Sequence, residues 1–587
     1  MKKIKILIVL ILLSMPLTAN KQNPNPEFFK TMAQDKVVWE DVDKGIINAM
    51  LDVLGGTLSV AEDVAYALLK PIQAIIKKHQ SAIINNPYKN TKASVRCGYP
   101  ICDMELDFRD KRFCKVKKAQ EKLLGTKFKD EDVLEVAFSF SGGGWRAQYW
   151  SLGVCGAARS TGLLDCVMCM SSLSGSTWFL GPWLLSGKSL QECRERALDE
   201  AHKGIELRNF SDIGPITDDL WVKFAYNQPI NILNFYGALL GNALLSGLDR
   251  DPHQLYLSDQ RYAISEGDFP MPVYTATLGE REKEEFWFEF TPYEVGSRWL
   301  SAYVPSWGFG RHYKKGISID DAPEQSFGFL MGIFGSAFAF DFEDIYDVIT
   351  AKITFPDFLK NVPFAEKIFN LVKEVFGKIV YDTDLGDIRF AWARVPNFVY
   401  KMKGVLHNKY KDLKLVDAGL NFNNPVFATY RKPPYGDAPD IIFMFDTGMF
   451  LGYDNIKKVV DYAKSEGLKF PEIKHFDVGK QIMFVFKDDK NLDVPVVVYM
   501  PRINGINLVK LDTHKPWYDY YMEILDGLDL TKEVDSGFAH TRRFKYTREN
   551  AEKVIAAAEF NLLAVTEKIK DIMKERISAK RKFRKIG

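Results

Sequence analysis

The chain has 587 residues and a net charge of +2, from 78 Lys and Arg against 76 Asp and Glu. That balance excludes the pronounced basic excess of a nucleic-acid binder, and 47% hydrophobic with 26% charged residues excludes wholesale disorder. The length permits several domains, but large α/β chains of this size run as one unit, and the reading is one large domain with a short helical preface.

The N-terminus carries Lys2, Lys3 and Lys5, then an apolar run from Ile6 to Leu13, then Pro16-Leu17-Thr18-Ala19. This is the layout of a secretory signal peptide, and the run falls short of the roughly 20 residues that span a bilayer. Cleavage after Ala19 and export, secreted or periplasmic, are expected; an uncleaved N-terminal anchor is the alternative. Residues 20–37 are polar and read as a linker, whereas Ile46 to Ile84 has apolar residues at helical spacing, with Pro71 ending or kinking one helix. A helix pair packed on the main domain is the expectation there, with a membrane-docking helix as the alternative. The predicted divisions are 1–19 signal, 20–110 linker and helical preface, 111–573 main domain and 574–587 basic tail.

All seven cysteines lie between Cys97 and Cys193. Cys97, Cys102 and Cys114 fall in a polar stretch where export would permit one disulfide; Cys155, Cys166 and Cys169 sit in apolar runs and read as core. The Cys97–Cys102 spacing without a nearby histidine is poor for zinc, and no metal site is expected.

Val133 to Phe140 reads as a buried strand running into Ser141-Gly142-Gly143-Gly144-Trp145-Arg146, a glycine turn that opens a helix to Ser160. Backbone N–H groups in such a turn can stabilise an oxyanion or cradle a phosphate. The next apolar run, Cys166 to Met170, leads into Ser172-Leu173-Ser174-Gly175-Ser176-Thr177-Trp178. Small residues between a buried strand and a helix are where a nucleophilic serine can be held on a sharp turn, and Ser174 is the candidate. Strand, helix and strand in that order form a right-handed parallel unit, which places both turns at the carboxyl edge of one sheet. Strand-like runs return at Met271–Leu278, Glu285–Phe290, Leu413–Val416, Ile441–Phe445, Ile482–Phe486 and Val494–Met500, so the predicted fold is α/β, a mixed central sheet covered by helices.

Ser326 to Phe340 has no charge and is rich in Phe and Gly; a buried helix or loop is the expectation, a mobile flap over a lipid cleft the alternative. Val416-Asp417-Ala418-Gly419 offers a carboxylate as base at a strand end. Asn504 to Tyr546 is loop-rich, with aromatics at Trp517, Tyr518, Tyr520 and Tyr521, and a helix is predicted from Thr547 past Ile572. The basic tail holds Lys574, Arg576, Lys580, Arg581, Lys582, Arg584 and Lys585, which reads either as a solvated terminus or as a clamp for anionic headgroups.

The glycine turn, the serine elbow and the Asp-Ala-Gly turn, in this order, resemble the catalytic domain of the cytosolic phospholipase A2 family, related to patatin-type Ser-Asp dyad lipases. Phe290-Thr291-Pro292-Tyr293-Glu294-Val295-Gly296 and Met331-Gly332-Ile333-Phe334-Gly335-Ser336-Ala337-Phe338 are similar to two further segments of that family. The resemblance covers roughly residues 110 to 565. It implies Ser174 as nucleophile, Asp417 as base, Gly143 and Gly144 as oxyanion hole and Arg146 as the phosphate-binding arginine, with Asn423 and Arg431 as supporting polar residues. Ser172 stands where the family has glycine, and Ala418 where serine is common. A serine hydroxyl needs a base to become a nucleophile. His202 and His407 are the histidines nearest the motifs in sequence, and the resemblance favours Asp417 acting directly.

The implied activity is hydrolysis of glycerophospholipid acyl esters at a membrane surface or micelle, without cofactor, nucleic acid or obligate protein partner. A Ser-His-Asp esterase and a catalytically silent lipid-binding protein of the same fold are the alternatives.

Overall fold

The computed structural model describes residues 84–204, 225–229, 232–278, 286–337, 392–420, 422–432, 437–448, 453–477, 481–502, 517–525 and 545–586, with isolated positions at 77, 222, 223, 515 and 543. The expected signal segment, the linker and all but the end of the helical preface lie outside them.

The strands are β1 (Arg96–Cys97), β2 (Val136–Phe140), β3 (Cys169–Ser172), β4 (Met271–Leu278), β5 (Phe286–Phe290), β6 (Glu294–Ser297), β7 (Ala302–Pro305), β8 (Tyr313–Lys314), β9 (Ile317–Ser318), β10 (Ala393–Pro396), β11 (Asp412–Val416), β12 (Ile441–Asp446), β13 (Phe484–Phe486) and β14 (Val496–Pro501). The helices that matter here are α1 (Asp103–Leu124), α2 (Gly144–Thr161), α3 (Thr177–Ser186), α4 (Leu190–Glu200), α5 (Ile232–Leu245), α6 (Phe327–Phe334), α7 (Tyr453–Ser465), α8 (Tyr518–Ile524), α9 (Arg548–Ala564) and α10 (Thr566–Ile586).

Apart from the small β8–β9 ribbon, the described strands form one mixed sheet in the order β1-β7-β6-β5-β4-β3-β2-β12-β14-β13, with the β10–β11 pair joined to β4. The contiguous set β4-β3-β2-β12-β14 is parallel. Its strands read as unbroken apolar runs because both faces are covered. In β12 the pleat sends Ile441, Phe443 and Phe445 into one core, where Phe138 and α9 residues such as Ile555 and Phe560 also lie, while Ile442 and Met444 join α7 residues Ile456 and Val459 on the other face.

Helix α9, capped by Thr547 Oγ1 accepting the Asn550 N–H at 3.1 Å, lies on α2 closely enough that a Cβ at Gly153 would come 2.9 Å from Ala558 Cβ. Two other helices hold the amino edge of the parallel strands. On α1, the buried Arg112 donates to the carbonyls of Val167 and Gly267, each at 3.0 Å, just before β3 and β4. On α10, Lys580 pairs with Asp440 at 3.0 Å, Arg581 with Asp132 at 2.8 Å and Arg584 with Glu131 at 3.2 Å, while Arg576 donates to Val494 O at 3.1 Å. The basic segment is therefore the end of a docked helix, not a frayed tail, because Lys580, Arg581 and Arg584 pair with acidic side chains that precede β2 and β12.

Helix α1 also crosses the boundary expected between residues 110 and 111, tying the end of the preface into the main domain. The predicted single helix after Thr547 breaks at Val565, which has left helical geometry with φ −110°. All seven cysteines are free thiols, so the disulfide that export would permit among Cys97, Cys102 and Cys114 is not formed.

Candidate active site

With the amino edge latched, the carboxyl edge carries the motifs. Strand β3 ends at Ser172, and two residues later Ser174 adopts φ 50°, a left-handed conformation uncommon for a residue with a Cβ. The turn is over-determined by its neighbours. Ser176 Oγ accepts the Leu173 N–H at 2.9 Å, and Thr177 Oγ1 donates to Ser174 O at 2.6 Å. A Cβ on Gly175 would lie 2.6 Å from the backbone nitrogen of Gly144, so the elbow and the glycine turn touch only because residue 175 is glycine. Ser172 is buried, and its carbonyl accepts from Thr275 Oγ1 at 3.0 Å; the elbow closes with serine in the family's glycine position.

The glycine turn is braced from two sides. Gly143 (φ 145°) and Gly144 (φ 60°) occupy backbone conformations that disfavour side chains. Thr447, just beyond the end of β12, donates through Oγ1 to Gly142 O at 2.6 Å and through its N–H to Ser141 Oγ at 2.7 Å. Asn423 Nδ2 donates to the same Gly142 carbonyl at 3.5 Å, while its Oδ1 accepts the Gly142 N–H at 3.1 Å. Across a trans peptide the N–H points opposite to the C=O. Fixing the Gly142 carbonyl therefore aims the Gly143 N–H away from Thr447, which is the preorganisation an oxyanion donor needs.

Asp417 follows β11, which reaches the site by pairing with β4 through Leu415–Leu278 and Val416–Thr277. Its carboxylate, 1% exposed, accepts the Gly419 N–H at 2.8 Å and the Ala337 N–H at 3.3 Å, and its own N–H donates to Ser336 Oγ at 2.8 Å. Ser336 and Ala337 belong to the charge-free segment. Its first part is the buried helix α6, capped by Ser326 Oγ accepting the Phe329 N–H at 3.3 Å. Through residue 337 this segment is core rather than an exposed flap, because α5 packs on it so tightly that a Cβ at Gly237 would come 2.8 Å from the Gly328 carbonyl; residues 338–340 lie outside the described set.

Asn423 joins the two halves. Its Oδ1 lies 2.8 Å from where a Gly142 Cβ would stand, beside Ser174 Cβ at 2.9 Å from that point, and also 3.4 Å from the Gly419 Cβ position, beside Asp417 Oδ1 at 3.0 Å.

Arg146, in the first turn of α2, is 1% exposed, and a Cβ on Gly143 would come 2.9 Å from its Nη2. Burial, followed by the like charge of Arg502, pushes its guanidinium down to about 9. Arg431 is elsewhere: its Nε donates to Glu105 Oε1 at 2.7 Å, its Nη1 pairs with Glu289, and its Nη2 donates to Pro100 O. It locks α1 to β5 rather than supporting the reacting groups. Thr447, Ser336, Arg502 and Tyr546 escaped sequence reasoning. A scan of the residues just beyond each strand's carboxyl end would have found Thr447 and Arg502, since both strands were legible; Ser336 lies in the family-like segment Met331–Phe338 but was given no role there, and nothing in the sequence singles out Tyr546. Among the described residues no group of three or more His, Cys, Asp or Glu side chains is placed to hold a metal.

Residues 136–427, from the start of β2 to just beyond Asn423, match the lysophospholipase catalytic domain family. Human cytosolic phospholipase A2 zeta is 26% identical over 471 residues, covering 70% of this chain and 54% of that protein. The structure of human GIVD cytosolic phospholipase A2 superposes with a TM-score of 0.67 at 20% identity, over 83% of this chain and 69% of the other. The chain carries a catalytic domain of the cytosolic phospholipase A2 family. The same human GIVD cytosolic phospholipase A2, in complex with methyl gamma-linolenyl fluorophosphonate, superposes at 0.60 with 22% identity, over 83% of this chain and 66% of that one; at these identities the structural likeness shows the fold. The chain spans about half the length of the zeta phospholipase A2.

Proposed function

We propose that this chain hydrolyses the fatty acyl esters of glycerophospholipids through a serine acyl-enzyme, with Ser174 as nucleophile and Asp417 as its base. The observation that carries the reading is the strained Ser174 elbow, φ 50°, packed directly against a braced glycine turn and linked through Asn423 to the loop that holds Asp417.

In the proposed cycle Asp417 takes the hydroxyl proton as Ser174 Oγ attacks the acyl carbonyl. The oxyanion forms against the N–H groups of Gly143 and Gly144, and its collapse expels the lysophospholipid, which receives the proton. Water, deprotonated by Asp417, then releases the fatty acid. Arg146 holds the substrate phosphate by charge-assisted hydrogen bonds. The lipid is met at a membrane or micelle surface. Export through residues 1–19 is proposed from the sequence layout, and N-terminal sequencing of the mature protein tests it.

The test of the activity is release of labelled fatty acid from phosphatidylcholine vesicles by the full chain, with Ser174→Ala and Asp417→Asn alongside. Loss by several orders of magnitude in both variants supports the dyad. Full activity in either removes it.

A further inference from the structure

The Asp417 carboxylate has two supports, and one of them comes from the charge-free segment, to which the proposed cycle gives no role. A carboxylate taken out of water favours its neutral form, and a neutral acid cannot take a proton from serine. Asp417, 1% exposed, therefore needs donors that keep it ionised and fixed in direction. Gly419 gives Oδ1 one N–H at 2.8 Å from within Asp417's own turn. The other oxygen, Oδ2, accepts the Ala337 N–H at 3.3 Å, from a segment 80 residues earlier in the chain. Beside it the Ser336 hydroxyl, also 1% exposed, accepts the Asp417 N–H at 2.8 Å, so the backbone and the carboxylate of one residue are gripped together.

The grip is firm because α6 is fixed by backbone contact. A Cβ on Gly332 of α6 would lie 2.7 Å from Gly237 Cα of α5, and one on Gly328 would lie 3.0 Å from Gly241 Cα. At the end of α6 the Gly335 N–H donates to Met331 O at 3.0 Å. A Cβ there would come 3.1 Å from the ring of Trp178, which stands in the first turn of α3, just after the Ser174 elbow. The segment thus touches both the helix behind the serine and the loop that holds Asp417.

We infer that Ser336 and Ala337 are positioning residues for the base: they set the direction of the Asp417 carboxylate and the lowest pH at which it works. The inference rests on the dyad reading above. A hydrogen bond to the charged form of an acid favours that form, so the Ala337 N–H extends activity to lower pH. Among the described titratable groups, Tyr236 of α5 feels the Asp417 charge. Burial first and that charge second hold its phenol well above its ordinary value, so it stays neutral and leaves the acid side of the profile to the carboxylate.

The test is the pH dependence of kcat/KM of the full chain on an uncharged short-chain ester, with the thermal midpoint of every variant measured beside it. Ala337→Pro deletes the N–H and should raise the acid-side midpoint of the profile by about one pH unit, the scale of one hydrogen bond to a charged acceptor. Ala337→Gly, which keeps the N–H, should leave that midpoint in place. Ser336→Ala should lower kcat by about tenfold with KM little changed, and Ser336→Thr, which keeps the hydroxyl, should recover most of it; this pair decides the matter if Ala337→Pro does not fold. A folded Ala337→Pro with the wild-type acid limb, or a Ser336→Ala that loses thermal midpoint yet keeps wild-type kcat, would overturn the inference and leave the dyad standing. Full activity in Asp417→Asn would remove the dyad and this inference with it.

Discussion

Asn423 Oδ1 accepts the N–H of Gly142 at 3.1 Å, so the loop that carries Asp417, the proposed base, is tied to the glycine turn, the proposed source of the oxyanion donors. The two loops are 281 residues apart in the chain, and this side chain sets their relative position. Asn423→Ala should therefore lower kcat by about 10²-fold, with a much smaller change in KM, the signature of lost preorganisation. Steady-state kinetics on an uncharged ester checks it; a change confined to KM would make Asn423 a binding residue.

The close packing of elbow and glycine turn gives a steric prediction. A Cβ at Gly175 would sit 2.6 Å from backbone nitrogen, which cannot yield, whereas at Gly142 it would meet side-chain atoms of Asn423 and Ser174, at 2.8 and 2.9 Å. Gly175→Ala should lose both activity and several degrees of thermal midpoint. Gly142→Ala should lose activity with a smaller stability cost, as the side chains shift. Calorimetry beside the kinetics separates the two, and a harmless Gly175→Ala would refute the contact.

Arg431 should behave as structure. Removing it leaves Glu105 and Glu289 buried without their partner, and breaking such a pair costs about 3–5 kcal/mol. Arg431→Met should lower the unfolding midpoint sharply, yet its residual activity per folded molecule should stay within about threefold of wild type. A stable but inactive variant would return Arg431 to the site.

Much of this was legible because the parallel strands are buried on both faces and so stand out as apolar runs with turn motifs at their ends. The elbow, the glycine turn, the Asp417 turn and the predicted strands from Met271 to Met500 all follow from that. Strands β6 and β7 were missed because Glu294–Ser297 and Ala302–Pro305 are only four residues long each, too short to show a strand period. The role of Arg431 was misread because its partners Glu105 and Glu289 are far away in sequence, and only the fold brings them to it. The solvated-terminus reading of the basic tail fails for the same reason: Asp440 and Asp132 pair with Lys580 and Arg581 at long range.

Burial also makes one carboxyl a reporter of pH. Glu324 accepts the Ser258 N–H at 2.9 Å and the Ser258 hydroxyl at 2.5 Å, near Arg261 and Asp259, and desolvation raises it from 4.5 to about 7. The folded state therefore binds this proton more tightly than the unfolded chain. Its contribution is fully present below pH 4.5 and is lost as pH rises through about 7. Glu324→Gln should flatten the fall in stability across that window. Denaturant midpoints measured from pH 4.5 to 8 check it, and an unchanged slope would mean Glu324 is already ionised in the folded protein.

Arg146→Ala should depress hydrolysis of phospholipids by at least about tenfold more than hydrolysis of an uncharged short-chain ester, because only the first substrate offers a phosphate to the guanidinium. Equal losses on both substrates would assign Arg146 to the packing of α2.

The central claim, that Ser174 is a nucleophile made reactive by Asp417, is tested most directly by intact-mass and peptide mass spectrometry of the full chain after a fluorophosphonate lipid is added. The account predicts one adduct per chain, mapped to Ser174, absent in Ser174→Ala and formed at least about 10²-fold more slowly in Asp417→Asn. An adduct on another residue, or rapid labelling of Ser174 in Asp417→Asn, would contradict it.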